Sequence, residues 1–322
     1  MNKGVKAVVL AAGKSKRMKS DKSKVVHKIL GKEIINYILD SLVKTGINDN
    51  DIIVVVGENR EEVMSVINRN VNFAVQKQQL GTADALMAAD EYLEEFNGDV
   101  LVTVGDNPYI TSDEFLNMLK YHRAENLKCT LLSSIFPNNT PPYGRIIRDE
   151  NNLVTEIIEA PDASDEQLKI REVNAGIYLF DYRIVFPLLR KIGSENKKGE
   201  FYLTDIVSIL KDEGFSCGAV IAENNYSAIG INNRWELAEA QRKFNEDNLM
   251  SLALESGITI LQPETVTIEK NVKIGKDTTI FPSTYIGSGT SIGKNCKIGP
   301  FSYLRNVNVE DNEEISYKKI TG

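Results

Sequence analysis

The feature that most constrains this chain lies near its carboxyl end. Ile268, Ile274, Ile280, Ile286, Ile292 and Ile298 recur at a spacing of six, and Leu304 continues the series. Glycine follows the anchor at Gly275, Gly287, Gly293 and Gly299. Four residues after each anchor stands a small or β-branched residue: Val272, Thr278, Thr284, Thr290, Cys296 and Ser302. Such a six-residue repeat marks a parallel β-helix, in which each anchor points inward and stacks on the coils above and below. An ordinary sheet with accidental spacing is the alternative, and seven anchors in register make it a poor one. Three hexads make one coil of a left-handed β-helix, so these anchors predict little more than two coils. So short an array is marginal alone and needs a cap or a partner. The charged tail from Glu310 to Gly322, or a neighbouring subunit, could serve.

The 322 residues suggest about two domains. Upstream of the repeat, strand-like runs alternate with amphipathic stretches. Strands are predicted at Val5–Ala11, Ile52–Val56, Val71–Val75, Val100–Val104, Thr130–Phe136, Ala175–Phe180 and Ser216–Ile221. Helices are predicted at Ile34–Val43, Glu61–Ile67, Ala83–Leu93 and Asp113–Ala124. The alternation implies βαβ units, a mostly parallel sheet covered by helices, and ligands at the carboxyl ends of the strands. A polar stretch, Asn232 to Ser256, reads as one long helix ended by Gly257, with Trp235, Leu237, Ala238, Phe244, Leu249, Leu252 and Ala253 as its apolar positions. The division predicted is 1–230, a linker helix over 231–257, and a short β-helix with charged tail over 258–322.

The net charge of −7 argues against a broad nucleic-acid surface. Cys129, Cys217 and Cys296 show neither zinc spacing nor a disulfide framework, so a reduced, cytoplasmic setting is the simplest expectation. No run approaches the length of a membrane span. An anionic ligand must therefore be met by local charge, and "VKAVVLAAGKSKRM" at 5–18 offers it. A buried strand ends at Gly13 and the chain turns basic at once, with Lys14, Lys16 and Arg17. This setting suits phosphate, yet it matches neither the P-loop nor the dinucleotide fingerprint.

Seven motifs in order carry a resemblance. They are "LAAGKSKRM" at 10–18, "QKQQLGTADAL" at 76–86, "VGDNPYI" at 104–110, "YGRI" at 143–146, "EVNAGIYLF" at 172–180, "FYLTDIV" at 201–207 and "GINNR" at 230–234. Over about residues 5 to 305 the chain resembles the N-acetylglucosamine-1-phosphate uridyltransferase half of the bifunctional enzymes that make UDP-N-acetylglucosamine. The resemblance implies an α/β, Rossmann-like nucleotidyltransferase domain, a linker helix and a short left-handed β-helix of hexapeptide repeats. It implies attack by a sugar-1-phosphate oxygen on the α-phosphorus of UTP, with pyrophosphate leaving in line. Such chemistry asks for alignment and charge neutralisation rather than a covalent intermediate.

Site roles follow from the same resemblance. Leu10, Ala11, Ala12 and Gly13 would lie along the nucleotide, and Gln76, Gly81 and Thr82 would read the base. Arg17 and Lys24 would be the catalytic cations, one bidentate and one a movable point charge. Asp106 and Asn232 would hold Mg²⁺, a hard cation that takes oxygen ligands. Val104, Gly105, Gly144, Glu159 and Asn174 would line the sugar pocket. Plain readings stand beside these: Thr82 as a helix cap, Asn232 as an N-cap, and Lys16, Lys19 and Lys22 as a solvated face. His27 and His122 are weak candidates that the transfer does not need, and His27, in "KVVHKIL", reads as a capping or packing residue.

The chain departs from the family pattern at four places. Ser15 and Lys16 stand where the family has Gly and Thr, Ser23 stands where it generally has Pro, and Val104 stands where a polar or aromatic residue is common. These changes leave the transfer chemistry intact, loosen the expectation for Lys24 and leave the sugar open. No histidine follows His122, so no acetyl transfer is expected. The alternatives are another sugar-1-phosphate, dTTP in place of UTP, or a non-catalytic regulator that binds sugar nucleotides. A homotrimer through the β-helix is the assembly that the resemblance implies.

Overall fold

The computed structural model describes residues 4–322. Two compact units divide the chain. The first joins the described residues up to Val26 with Ile34–Ile231, and the second joins His27–Glu33 with Asn232–Gly322. The long helix thus groups with the repeats, and seven residues from the amino-terminal region group with them too.

The first unit is built on nine strands: β1 Gly4–Leu10, β2 Ile52–Val56, β3 Asn72–Val75, β4 Gly98–Val104, β5 Cys129–Ile135, β6 Arg145–Arg148, β7 Val154–Ile158, β8 Glu172–Asp181 and β9 Cys217–Ile221. Their order across the sheet is β3-β2-β1-β4-β8-β5-β9-β7-β6. Successive residues of a strand face opposite sides, so a strand buried on both faces must be apolar throughout. "IIVVV" of β2 is such a strand, wholly buried. Val8, Val55 and Val102 feed the core on one face, and Val9, Val54 and Leu101 feed the core on the other. The expected parallel pairing holds from β3 through β2 and β1 to β4, and again between β5 and β9. Beyond β4 the sheet is mixed. β8 runs antiparallel to both β4 and β5, because the chain reaches it through the β6–β7 hairpin rather than through a helical crossover. That hairpin is the part of the sheet that the alternating pattern does not reveal.

In the second unit, helix Arg234–Ser256 starts at Asn233, whose side chain accepts the Glu236 N–H, and ends at Gly257 in the left-handed region at φ 67°. Both ends follow ordinary capping chemistry. Only Ala240 and Leu249 of the helix are buried, and Trp235 is 74% exposed, so the expected apolar positions do not form one buried stripe. The helix is held to the coils by Leu249 and Leu252, which join the repeat core, and by polar groups. The Asn245 and Asn248 amides donate to the carbonyls of Val266 (2.7 Å) and Ile268 (2.9 Å).

The repeat forms three parallel ladders of four, four and three short strands. Their anchors Ile268, Ile274, Ile280, Ile286, Ile292, Ile298 and Leu304 are buried in one cluster. The array is longer than the seven anchors imply. Val309, Ile315 and Ile320 lie on three further strands, paired with the strands of Ile292, Ile298 and Leu304. The tail from Glu310 therefore adds rungs and is not a separate cap. Strict hexad spacing misses these rungs because the steps from Leu304 run five, six and five residues.

One buried carboxylate ties this unit together. Glu269, 3% exposed, accepts from Tyr285 Oη (2.5 Å), the Ser288 N–H (2.7 Å) and Arg305 Nη2 (2.5 Å). Burial alone pushes its carboxyl up, but the hydrogen bonds from Tyr285, Ser288 and Arg305 outweigh that and hold it below the usual carboxylate range. A depressed folded pKa contributes stability above the unfolded value of about 4.3. That contribution is lost as pH falls through the lower folded value. Glu269→Ala should destabilise the second unit by about 1–3 kcal/mol at neutral pH, with a smaller deficit below pH 4. Thermal melts of both proteins across pH 3–8 measure it, and a pH-independent difference would contradict the assignment.

Candidate active site

The site forms where β1 and β4 end. The strands run in register to Leu10–Val104. The Ala11 N–H then bonds to the Val55 carbonyl (2.8 Å), and the Gly105 N–H bonds to that of Leu10 (2.8 Å). The loops that follow line a cleft of about 480 Å³. Leu10, Ala11, Ala12, Gly13, Lys24, Gln76, Gly81, Thr82, Val104 and Asp106 all lie in its wall. A Cβ built on Gly13 would meet no atom of the chain, so the space beside it is open to a ligand. The left-handed residue of this loop is Ser15, at φ 54°, rather than the glycine.

Gly81 is held by its neighbours. At φ 139°, an added Cβ would stand 2.4 Å from the Phe201 carbonyl oxygen. The backbones interlock there: the Phe201 N–H donates to the Leu80 carbonyl (2.8 Å) and the Ala83 N–H donates to that of Phe201 (3.0 Å). Thr82 does not cap its helix; its hydroxyl accepts the Leu203 N–H at 3.0 Å. Gln76 is buried, and its amide donates to the Gly81 carbonyl (3.1 Å) and to Asp84 Oδ2 (2.7 Å). Gln79, in the same motif but not singled out by sequence reasoning, lines the cleft and donates to the Ala12 carbonyl (2.5 Å). Its position, three residues after Gln76 and two before Gly81, was the available signal.

The sugar-pocket candidates gather around a bulge in β8, where the register with β5 shifts between Asn174 and Tyr178. Bulges of this kind re-aim side chains beside active sites. The Asn174 N–H bonds to the Gly144 carbonyl (2.8 Å), its amide donates to Tyr178 Oη (2.7 Å), and its Oδ1 accepts the Gly176 N–H (3.1 Å). At Gly144 an added Cβ would sit 2.7 Å from Ile157 Cγ2 and 3.3 Å from Glu159 Oε1. Glu159 accepts from the Thr204 hydroxyl (3.3 Å), and its carboxyl is pushed up chiefly by burial. Burial, and next the nearby Glu159, raise the Tyr178 phenol as well. A Cβ on Gly176 would lie 3.6 Å from Val104 Cγ1, so the bulge and the β4 terminus are neighbours. At Gly105 it would crowd Ala11 Cβ at 3.1 Å and the Leu10 carbonyl at 3.2 Å.

Among the charged candidates, Lys24 Nζ is ion-paired with Asp106. The Ile231 N–H donates to the Asp106 carbonyl (2.8 Å), and a Cβ at Gly230 would lie 3.1 Å from the Asp106 carboxylate. Asn107, fully buried, donates to the Ser227 carbonyl at 2.5 Å and so braces the same loop. Asn232 is buried, begins the second unit, and its N–H donates to Glu236 Oε2 (2.6 Å). Arg17 is exposed on the single turn Lys16–Met18 and is not part of the cleft wall. Lys14 and Lys16 do line that wall, although the sequence reading left Lys16 to a solvated face. His122 is buried with Nδ1 2.9 Å from the Thr130 hydroxyl. The described residues contain no cluster of three or more His, Cys, Asp or Glu side chains that could cage a metal. Two carboxylates, Asp106 and Glu200, stand in the cleft wall, and Mg²⁺ is a cation that takes few protein ligands beside phosphate and water.

A doubly covered α/β sheet with a small-residue loop at its carboxyl edge, joined to hexapeptide coils, defines a nucleotide-handling transferase class. The Nucleotidyl transferase family profile matches residues 6–240, and the Bacterial transferase hexapeptide profile matches residues 266–306. The chain belongs to the nucleotidyl transferase family. It is 41% identical over 309 residues to the Bifunctional protein GlmU of Acetivibrio thermocellus, covering 96% of this chain and 66% of the relative. It is 40% identical over 318 residues to the Bifunctional protein GlmU of Caldanaerobacter subterraneus subsp. tengcongensis, covering 98% and 67%. The chain thus spans about two thirds of the length of these relatives.

Gly81→Ala tests the interlock at the cleft. A positive-φ alanine forced against Phe201 should cost about 1–3 kcal/mol and open the wall that carries Gln76 and Thr82. Denaturant unfolding checks the first effect and nucleotide KM the second. An alanine variant as stable as the parent would refute the geometry.

Proposed function

We propose that the chain is a Mg²⁺-dependent uridylyltransferase that joins UTP to N-acetylglucosamine-1-phosphate and releases pyrophosphate. The observation that carries this reading is the convergence of the Leu10–Gly13 loop, Lys24 and Asp106 on one cleft. That cleft has room for a nucleotide, and Gly144, Glu159 and Asn174 cluster at the β8 bulge next to the end of β4. Small residues at 11–13 let the backbone approach the phosphates, and Gln76, whose amide nitrogen is committed to Gly81 and Asp84, offers its carbonyl oxygen as acceptor to a uracil edge. Lys24 faces the reacting phosphates as a fixed cation, and Arg17 adds a bidentate grip from the exposed side of the loop. Glu159 and Asn174 meet the sugar hydroxyls and the acetamido group. Asp106 would hold the metal, which when bound offsets charge developing on the phosphates.

The assay is pyrophosphate release with Mg²⁺ across four nucleoside triphosphates and a panel of sugar-1-phosphates. UTP with N-acetylglucosamine-1-phosphate should be the best pair. A preference for dTTP or another sugar would move the substrate assignment, and no activity with any pair would favour a sugar-nucleotide-binding regulator. Lys24→Ala and Asp106→Ala should each lower kcat by about 10²–10³, with melting temperatures near the parent's. A full rate in either variant removes that residue from the role. Asp106→Ala should also weaken Mn²⁺ binding in a direct titration, and an unchanged affinity would exclude Asp106 as a ligand.

The finer part of the reading concerns the hexapeptide unit. No histidine follows His122 in the chain, so no general base of that type is present there. Acetyl-CoA consumption with glucosamine-1-phosphate should be absent, and measurable turnover would overturn this. We assign the unit an assembly role as a homotrimer, which sedimentation equilibrium tests.

A further inference from the structure

We propose that Ser15 and Glu62 form a two-point backbone clamp that positions Lys24, making Ser15 a positioning residue for the transfer. The inference rests on the role given to Lys24 above. Ser15 occupies the left-handed region at φ 54° and ψ 22°, a conformation that costs a non-glycine residue free energy. Its hydroxyl supplies a return. Oγ accepts the Lys24 N–H at 2.8 Å and donates to the Gly13 carbonyl at 3.3 Å. One hydroxyl therefore joins the end of the small-residue loop to the backbone of the cation nine residues later. The preceding N–H is held as well: Ser23, 2% exposed, donates to Glu62 Oε2 at 2.8 Å.

Two consecutive peptide N–H groups, those of Ser23 and Lys24, thus point to fixed acceptors. Its side chain leaves this clamp to reach Asp106 across the cleft. These are two of the places where the sequence departs from the family pattern. A proline at 23 would stiffen the chain by its ring but could donate nothing. A serine there restores the donor, and Glu62 uses it. A glycine at 15 would adopt φ 54° without strain but could accept nothing from Lys24. Serine at both positions exchanges ring and glycine geometry for a pair of hydrogen bonds.

Ser15→Gly separates positioning from structure, because glycine suits the left-handed backbone and deletes only the hydroxyl. A purely structural Ser15 predicts a change in melting temperature alone, with kcat unchanged. The clamp predicts that exchange at the Lys24 N–H, followed by NMR, speeds up about three- to tenfold. It also predicts that kcat falls by a similar factor while the sugar-phosphate KM moves less than twofold. Glu62→Ala should speed exchange at Ser23 and lower kcat in the same direction, whereas Glu62→Gln, which keeps an acceptor oxygen, should behave like the parent. Unchanged exchange and kcat in Ser15→Gly would overturn the proposal. If the parent protein itself releases no pyrophosphate, the functional reading fails, and the exchange measurement still decides whether the clamp exists.

Discussion

The register between β1 and β4 carries the rest of the first unit. Seven residues pair in parallel, from Gly4 with Gly98 to Leu10 with Val104, so both strands reach their carboxyl ends at one level. Their loops then leave side by side, one bearing Ala11 to Gly13 and the other Gly105 and Asp106. A slip of one residue would turn every side chain to the opposite face. The core forbids it, since Val8 and Val102 pack on one face and Ala7 and Leu101 on the other. Hydrophobic burial far from the cleft therefore sets the separation between the small-residue loop and the carboxylate.

Much of this was legible from the chain alone, for physical reasons that differ by element. β2 is apolar throughout and needs no context. The helix over 234–256 announces itself by its Asn233 cap and Gly257 stop. What was not legible depends on partners distant in sequence. The β6–β7 hairpin breaks the strand–helix alternation, and it reverses β8 within an otherwise parallel expectation. The last three rungs hide because turns one residue shorter still return the chain to the same ladder. A search for hexads measures the turn, whereas the ladder only requires the next strand to land on its neighbour. At the site, motif positions located the cleft wall, but roles that depend on orientation escaped. Thr82 has the sequence of a cap and spends its hydroxyl on Leu203. Lys16 looks like a surface charge and lines the cleft.

The two units solve the same burial problem in different ways. The first covers one sheet on both faces, so its polar groups cluster at strand ends and at the β8 bulge. The second stacks short strands, each too short to be stable alone, and its stability comes from neighbouring rungs. A buried carboxylate is costly in either setting unless it is fully hydrogen-bonded. Glu269 meets that condition with three donors and is held below the usual range. Glu159 has one hydroxyl donor in the same sense and is held above it, burial being the leading cause. Two glutamates thus differ in chemistry through the donors around them. One is saturated by its own fold, and the other, with a single hydroxyl donor from Thr204, keeps acceptor capacity.

The same reasoning applies to the charges in the cleft. A chain of net charge −7 attracts an anion only where cations are concentrated. Lys14, Lys16 and Lys24 stand there against Asp106 and Glu200, three cations to two carboxylates. Lys24 and Asp106 are 20% and 12% exposed, and by pairing they spare each other the cost of a buried, uncompensated charge. A phosphate that draws Lys24 away leaves Asp106 in need of a cation, and a cation that takes Asp106 leaves Lys24 in need of an anion. A triphosphate and a divalent metal arriving together satisfy both. Under the proposed function, this shared counterion makes nucleotide and metal a better fit to the cleft jointly than either is alone.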